Sequence, residues 1–229
     1  MEYMPPEPSC QTLAFFDLDR TITTQGTFTP FIIFVAQRKP KVLWHLPKIL
    51  ATAIFYGLGY VKREYLKGVM LKAVLSGEHR ETVDELARAF AEKWINSRLR
   101  PGALKAIREH QLAGHYLVMI TASFDFCAGK FGEKLNFDSV ISTKAVWDAS
   151  DRLIGDVDGK NCYGEEKLCA IERVMPGIKG SYFIHAYSDH HSDLPLLEWA
   201  DQGAAVNPDA KLAMFAKEMC FEVMDWGQP

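Results

Sequence analysis

The stretch Leu13-Ala14-Phe15-Phe16-Asp17-Leu18-Asp19-Arg20-Thr21 decides the fold. Its apolar run is short and unbroken, the pattern of a strand buried on both faces, as in parallel sheets. The run ends in two carboxylates at i and i+2. The two-residue period of an extended chain puts Asp17 and Asp19 on the same side, just past the apolar segment. Ligands of open α/β sheets bind at these carboxyl ends of the strands. Two acids therefore stand together where such a sheet builds its site. The plainer reading is an acidic strand end with a helix cap at Thr21, and the stretch alone leaves both open.

Working outward, residues 21–29 are rich in Thr and Gly, lack apolar periodicity and read as a loop or flap. From Pro30 to about Asn96 apolar residues recur at helical spacing without β-alternation, which predicts helices over 31–38, 42–58, 62–74 and 81–94. Breaks fall at Arg38-Lys39-Pro40-Lys41, Gly57-Leu58-Gly59 and Ser76-Gly77-Glu78. The expected organisation is a core of 11–29 and 97–229 with an all-helical cap, 30–96, inserted after the first strand. Within the cap, residues 42–60 carry His45, Pro47 and Lys48, which would be costly at bilayer depth. They read as a buried cap helix. The alternative is an interfacial helix using Trp44, Phe55, Tyr56 and Tyr60 with basic flanks at Arg38, Lys39, Lys41, Lys62 and Arg63.

From Pro101 helices and strands alternate. Helices are expected over 101–111, 125–135, 164–174, 193–200 and 209–218, and strands over 116–120, 139–142, 182–186, 203–206 and 221–226. Residues 144–157 read as a hairpin-like excursion turning at Ala149-Ser150-Asp151. This alternation implies an α/β fold with a doubly wound, Rossmann-like parallel sheet.

Composition narrows the class. Of the residues 48% are apolar and 24% charged, and the net charge is −3, so nothing marks a general nucleic-acid binder. The five cysteines are scattered, without metal-ligand spacing or a disulfide framework, and a reducing cytoplasm is the expected setting. Residues 1–11 lack the basic and apolar regions of a secretory signal and read as a loose tail.

The polar residues at the strand ends complete the picture. The first strand gives Asp17 and Asp19, the second gives Thr121, the helix near Gly164 carries Lys167, and the fourth gives Asp189 with Asp193 behind it. Each alone has a bland reading, since a helix lysine is usually solvated and a threonine after a strand is usually a cap. Together, at the carboxyl ends of successive strands, they are much harder to dismiss, and they stand in the order and setting that a phosphoryl-transfer site would need. Asp17, Asp189 and Asp193 with a phosphate monoester carry far more negative charge than Lys167 returns. Like charges at such separations repel by several kcal/mol at an effective dielectric of about 20. A divalent cation is needed, and an all-oxygen site favours Mg2+.

The order of these residues resembles the haloacid dehalogenase (HAD) superfamily: Asp17-Leu18-Asp19-Arg20-Thr21 for its first motif, Thr121 after Val118-Met119-Ile120 for the second, Lys167 for the third and Ser188-Asp189-His190-His191-Ser192-Asp193 for the fourth. It is most similar to the phosphoserine phosphatase-like branch, subfamily IB with a helical C1 cap. The resemblance implies an aspartyl-phosphate mechanism on a small phosphorylated metabolite. Asp17 would be the nucleophile and Asp19 the acid and base. Thr121 and Lys167, with Ala122 and Ser123, would hold the phosphoryl oxygens. Asp17, the backbone carbonyl of Asp19, and Asp189 would hold Mg2+, oriented by Asp193, with Arg20 a candidate substrate contact. Phosphoserine phosphatases carry a glutamate shortly after the first motif, whereas Thr23-Thr24-Gln25-Gly26-Thr27 has no acid, which points to another substrate. Two alternatives remain: a lipid phosphatase of phosphatidylglycerophosphate type at a membrane surface, and a non-catalytic binding protein on the same fold. His185, His190 and His191 read as polar sheet or loop groups in preference to transition-metal ligands.

Overall fold

Thr12–Phe16 forms β1, and its alternating side chains enter two different cores. Leu13 and Phe15 belong to one buried cluster, Ala14 and Phe16 to the other. That two-sided burial places β1 inside a sheet and not at its edge. The computed structural model describes residues 11–39 and 44–227. The expected tail and the residues around Pro40, including the start of the helix expected from Val42, lie outside them.

Among the described residues the strands that follow are β2 (Tyr116–Phe124), β3 (Ser139–Trp147), β4 (Leu153–Asp158), β5 (Phe183–Ser188), β6 (Gln202–Val206) and β7 (Glu222–Met224). They form one sheet in the order β4-β3-β2-β1-β5-β6-β7. All pairings are parallel except β3 with β4, which is the expected hairpin. The sheet is flanked by helices, the doubly wound α/β architecture that the alternation implied. The core helices are α5 (Pro101–Leu112), α6 (Asp125–Leu135), α7 (Glu166–Val174), α8 (Leu194–Trp199) and α9 (Ala210–Glu218), once the four before them are set apart. Pro101 opens α5 where a missing N–H is harmless, and Asn136 closes α6 in the left-handed region with φ 53°.

Between β1 and α5 run α1 (Phe28–Ala36), α2 (Leu46–Gly57), α3 (Arg63–Leu75) and α4 (Arg80–Arg98). Phe31, Phe34 and Phe90 pack with Phe126 and Phe131 of α6, so this insertion shares a core with the sheet layer. At its root Thr23 pairs with Leu99 in an antiparallel bridge, joining the outgoing and returning chain.

Two expectations need correction. The α2 helix is not buried. Only Thr52 is, while Leu50, Ile54 and Leu58 are 61%, 63% and 64% exposed. Periodicity identifies an apolar face but not what covers it, and α2 packs chiefly on α3. The second strand does not stop at Ile120. It continues to Phe124 through a register shift between Thr121 and Phe124, a bulge on the β3 side. No helix among the described residues is long and apolar enough to cross a membrane.

Gly203 in β6 and Gly129 in α6 test the packing with opposite signs. A methyl on Gly203 would run into the backbone carbonyl of Leu197, which cannot step aside, whereas one on Gly129 meets nothing within 4 Å. In urea denaturation Gly203→Ala is expected to lose about 1–3 kcal/mol, and Gly129→Ala to gain about 0.5–1 kcal/mol.

Candidate active site

The site starts where β1 ends. The Asp17 N–H donates to Tyr187 O at 3.0 Å, so the ladder with β5 runs one residue past the strand. The chain then turns through Leu18–Ile22, with Asp19 extended and Arg20 at φ 66°. This is left-handed backbone that suits glycine better than arginine, and the exposed Arg20 side chain stands at the mouth of the cleft.

One carboxylate oxygen of Asp17 accepts from Lys167 Nζ at 2.7 Å, and the other from Thr21 Oγ1 at 3.1 Å. Lys167 lies in the first turn of α7 and is 1% exposed. It also donates to Asp193 Oδ2 at 2.6 Å, an oxygen that Ser188 Oγ reaches as well, at 2.6 Å. Thr21 is not a helix cap. Its hydroxyl lies 3.2 Å from Asp189 Oδ1 and accepts from the Asp189 N–H at 3.0 Å, tying the end of β1 to the end of β5.

Asp19 faces away from this cluster. Its carboxylate accepts from the Thr27 N–H at 2.6 Å and from Ser123 Oγ at 3.2 Å. Thr27 precedes α1, so the charge sits at a helix N-terminus, where a dipole favours it. Ser123 comes from the β2 bulge, and its N–H donates to Thr121 Oγ1 at 3.1 Å.

These residues surround a cleft of about 930 Å³ lined by Asp17, Asp19, Arg20, Ala122, Lys167, Asp189 and Asp193. Thr121 and Ser123 are not among its lining residues; both are buried beside it. The histidines around Asp189 separate: His190 lines the cleft, His191 Nδ1 meets Asp209 at 2.7 Å, and the His185 ring lies 4.9 Å from His110. Two residues that sequence reasoning missed belong here. Thr21 was read as a possible cap. Lys67 of α3 reaches Ala122 O at 2.8 Å and lies on the cleft wall. Lys67 had a signal: with Leu71 and Val74 it occupies the buried stripe of α3, an odd place for an unneeded lysine.

The electrostatics are uneven. Burial, only partly offset by Lys167 and reinforced by Asp193, Asp189 and Asp19, pushes the Asp17 carboxyl up to about 8. Burial likewise pushes Asp189 up to about 6, against the hydrogen bond from Thr21. Burial works against the Lys167 ammonium, but Asp17 and Asp193 outweigh it and hold the group protonated. Asp193 Oδ1 is buried with no hydrogen-bond partner. One lysine for three buried carboxylates, with an orphaned carboxylate oxygen, is a donor set short of positive charge. Its ligands are oxygens, which suits a hard dication such as Mg2+.

The same imbalance can be measured as stability. Lys167→Met leaves Asp17 and Asp193 buried without their cation and is expected to cost about 3–5 kcal/mol. Asp17→Asn removes a charge that burial already opposes and should cost about 1 kcal/mol or less. Equal losses in metal-free denaturation would contradict this account.

Residues 14–198 match the haloacid dehalogenase-like hydrolase family. Protein CicA of Caulobacter vibrioides is 30% identical over 191 residues, 83% of each chain. A probable phosphatase of Mycobacterium tuberculosis is 26% identical over 243 residues, covering 97% of this chain and 78% of that protein. The crystal structure of a Bordetella pertussis Tohama I protein of unknown function shares the fold, with a TM-score of 0.83 at 22% identity over 95% of this chain and all of that one (100%). The family match runs from β1 into α8 and so takes in every strand that supplies the cleft: the chain belongs to the haloacid dehalogenase-like hydrolases.

Proposed function

We propose that the protein is a Mg2+-dependent phosphomonoester hydrolase working through an aspartyl phosphate. The observation that carries this reading is the division of labour between the two acids of the opening motif. Asp17 is buried between Lys167 and Thr21, and Asp19 is turned toward Thr27 and Ser123. In this reading a carboxylate oxygen of Asp17 bonds to phosphorus as the ester oxygen leaves. Asp19 gives its proton to the leaving alkoxide, then takes one from the water that hydrolyses the acyl phosphate. Lys167 and the β2 bulge, Thr121, Ala122 and Ser123, hold the phosphoryl oxygens. Asp17, the backbone carbonyl of Asp19, and Asp189 would hold Mg2+, with Asp193 fixing Lys167. When bound, the ion neutralises the carboxylates and the transferring phosphoryl group. The helices of 30–96 act as a cap that supplies the far wall of the cleft.

The far wall narrows the substrate. It carries Lys67 with Tyr56, Leu66 and Met70, Arg20 and Phe28 flank it from the chain between β1 and residue 30, and the loop 23–27 adds no acid. An ammonium-bearing alcohol such as serine finds no counter-charge there. An alcohol with an anionic or apolar body fits better, and the phosphatase named among the relatives accords with ester hydrolysis.

The exposed apolar face of α2 favours a second reading, a lipid phosphate at a membrane surface. Leu50, Ile54 and Leu58 are exposed, and Tyr56 of the same helix lines the cleft. Co-sedimentation with anionic vesicles distinguishes the two: binding that Ile54→Glu abolishes supports the lipid form, and no binding leaves the small-metabolite form.

Hydrolysis of an aryl phosphate should require Mg2+ and be abolished in Asp17→Asn, while Asp19→Asn lowers kcat by about 10²–10⁴-fold. Lys67→Met should raise KM on anionic phosphoesters more than it lowers kcat. Near-normal turnover by Asp17→Asn would sink the mechanism.

A further inference from the structure

Three histidines meet on the sheet away from the carboxylate cleft. His110 lies in the last turn of α5, His115 immediately precedes β2, and His185 lies within β5. Each offers a ring nitrogen within 4.8 Å of those of the other two. His110 Nδ1 and His115 Nδ1 are 2.7 Å apart, His110 Nε2 is 2.9 Å from the Tyr187 hydroxyl, and the rings of His110 and His185 are 4.9 Å apart at 75°. His185 Nδ1 is buried without a hydrogen-bond partner. A buried polar atom left unpaired costs about 1–3 kcal/mol, which a purely structural ring such as phenylalanine would not incur.

The environment keeps these rings in the form that ligates metals. Burial, helped by His185 and His115, pushes His110 down to about 4. Burial also lowers His115 and His185, the latter against the pull of Asp201. Neutral imidazole is the ligand state, and zinc is the ion most often held by such nitrogens. The contact between His110 Nε2 and Tyr187 matches the outer hydrogen bond that orients a ligating histidine through its second nitrogen.

We propose that His110, His115 and His185 form a binding site for one zinc-class divalent ion, with an open fourth position on the half-buried His115 side. Tetrahedral zinc sets nitrogens about 3.3 Å apart, so the rings must rotate to open the 2.7 Å pair of His110 and His115 and to bring in His185, whose nitrogen lies within 4.8 Å of theirs. This site is nitrogen-lined, whereas the cleft is oxygen-lined, and the two select different ions by ligand type. They are also separate in space. His185 precedes Asp189 by four residues on an extended strand, about 13 Å.

A second group, His190, His191 and Asp209, is also close enough to share an ion. There ring and carboxylate atoms are hydrogen-bonded, and none is buried without a partner as His185 Nδ1 is. His191 pairs with Asp209 at 2.7 Å, His190 Nδ1 meets Ser192 Oγ at 2.9 Å, and Asp209 accepts from Leu212 N at 2.8 Å as the cap of α9. It makes the natural control.

The test is titration of the chelator-treated full chain with Zn2+ by calorimetry, and with Co2+ by absorption, where tetrahedral nitrogen ligation gives intense visible bands. With Mg2+ in excess to fill the cleft, one equivalent is expected, with affinity falling at least about tenfold in His185→Ala and similarly in His115→Ala. Both variants alter half-buried rings, and His110, the buried member, is left unchanged. Asp17→Asn and His191→Ala should keep the equivalent. No stoichiometric zinc in the wild-type chain overturns the proposal. So does binding that survives His115→Ala, or that is lost in Asp17→Asn or His191→Ala while His115→Ala retains it.

Discussion

Lys167 Nζ is the contact on which the cleft depends. It joins Asp17 at the end of β1 to Asp193 at the start of α8, and it does so from α7, so three elements meet on one ammonium group. A buried ion cluster is weak evidence of stability, because the desolvation of each charge consumes much of the attraction. Here it is also unbalanced, since Asp189 adds a further carboxylate and Asp193 Oδ1 has no partner. The stabilisation comes from elsewhere. Phe15 and Phe16 are fully buried on opposite faces of β1, each in its own apolar cluster. Two cores clamp the strand that carries the poorly solvated acid, and the sheet can hold a charge arrangement that no isolated loop would keep.

The topology explains why the arrangement falls at this place. The strand order reverses at β1, with β2 on one side and β5 on the other. Connections leave in opposite directions there and open a crevice above the strand ends. Asp17 comes from the central strand, the bulge with Ala122 and Ser123 from β2, and Asp189 from β5. Because the Asp17 N–H still bonds to Tyr187, its backbone is fixed on the β5 side as its side chain enters the crevice.

Local features were legible wherever local physics decides. The apolar run of β1 and the hairpin at 149–151 follow from side-chain period and turn residues. The α6 helix runs over Asp125–Leu135, the limits expected for it. What escaped depends on contacts distant in sequence. The β2 bulge exists because the ladder with β3 slips between Thr121 and Phe124, which no property of Ala122 or Ser123 announces. Thr21 looked like a cap because its partner is Asp189, far along the chain. The exposure of α2 reflects the lack of a covering element, which an apolar stripe cannot report. His110 and His115 are close in sequence, but only the pairing of β5 with β1 brings His185 to them. Lys67 is different, for its place on the apolar stripe of α3 with Leu71 and Val74 follows from helical spacing alone.

The insertion is wired into the site and does not merely lie over it. Thr27 at the start of α1 donates to Asp19, and Lys67 of α3 donates to the carbonyl of Ala122 in the bulge. Its root is clamped as well. Beside the Thr23–Leu99 bridge, Thr24 N donates to Arg98 O at 2.8 Å, Arg100 N to Ile22 O at 2.9 Å, and Arg100 Nε to Arg20 O at 2.9 Å. Any swing of the helices must therefore pivot where the outgoing and returning chains are bonded together. That pivot is the turn holding Asp19 and the left-handed Arg20. The Asp19 carboxylate is held from both sides, by the Thr27 N–H at the start of the insertion and by Ser123 Oγ of the sheet, whereas Asp17 is held by Lys167 and Thr21. The two acids of the opening motif thus differ in what fixes them: Lys167 and Thr21 hold Asp17, and the insertion and the sheet together orient Asp19. In the mechanism proposed above, the proton donor is then aligned in part by the wall that encloses the substrate.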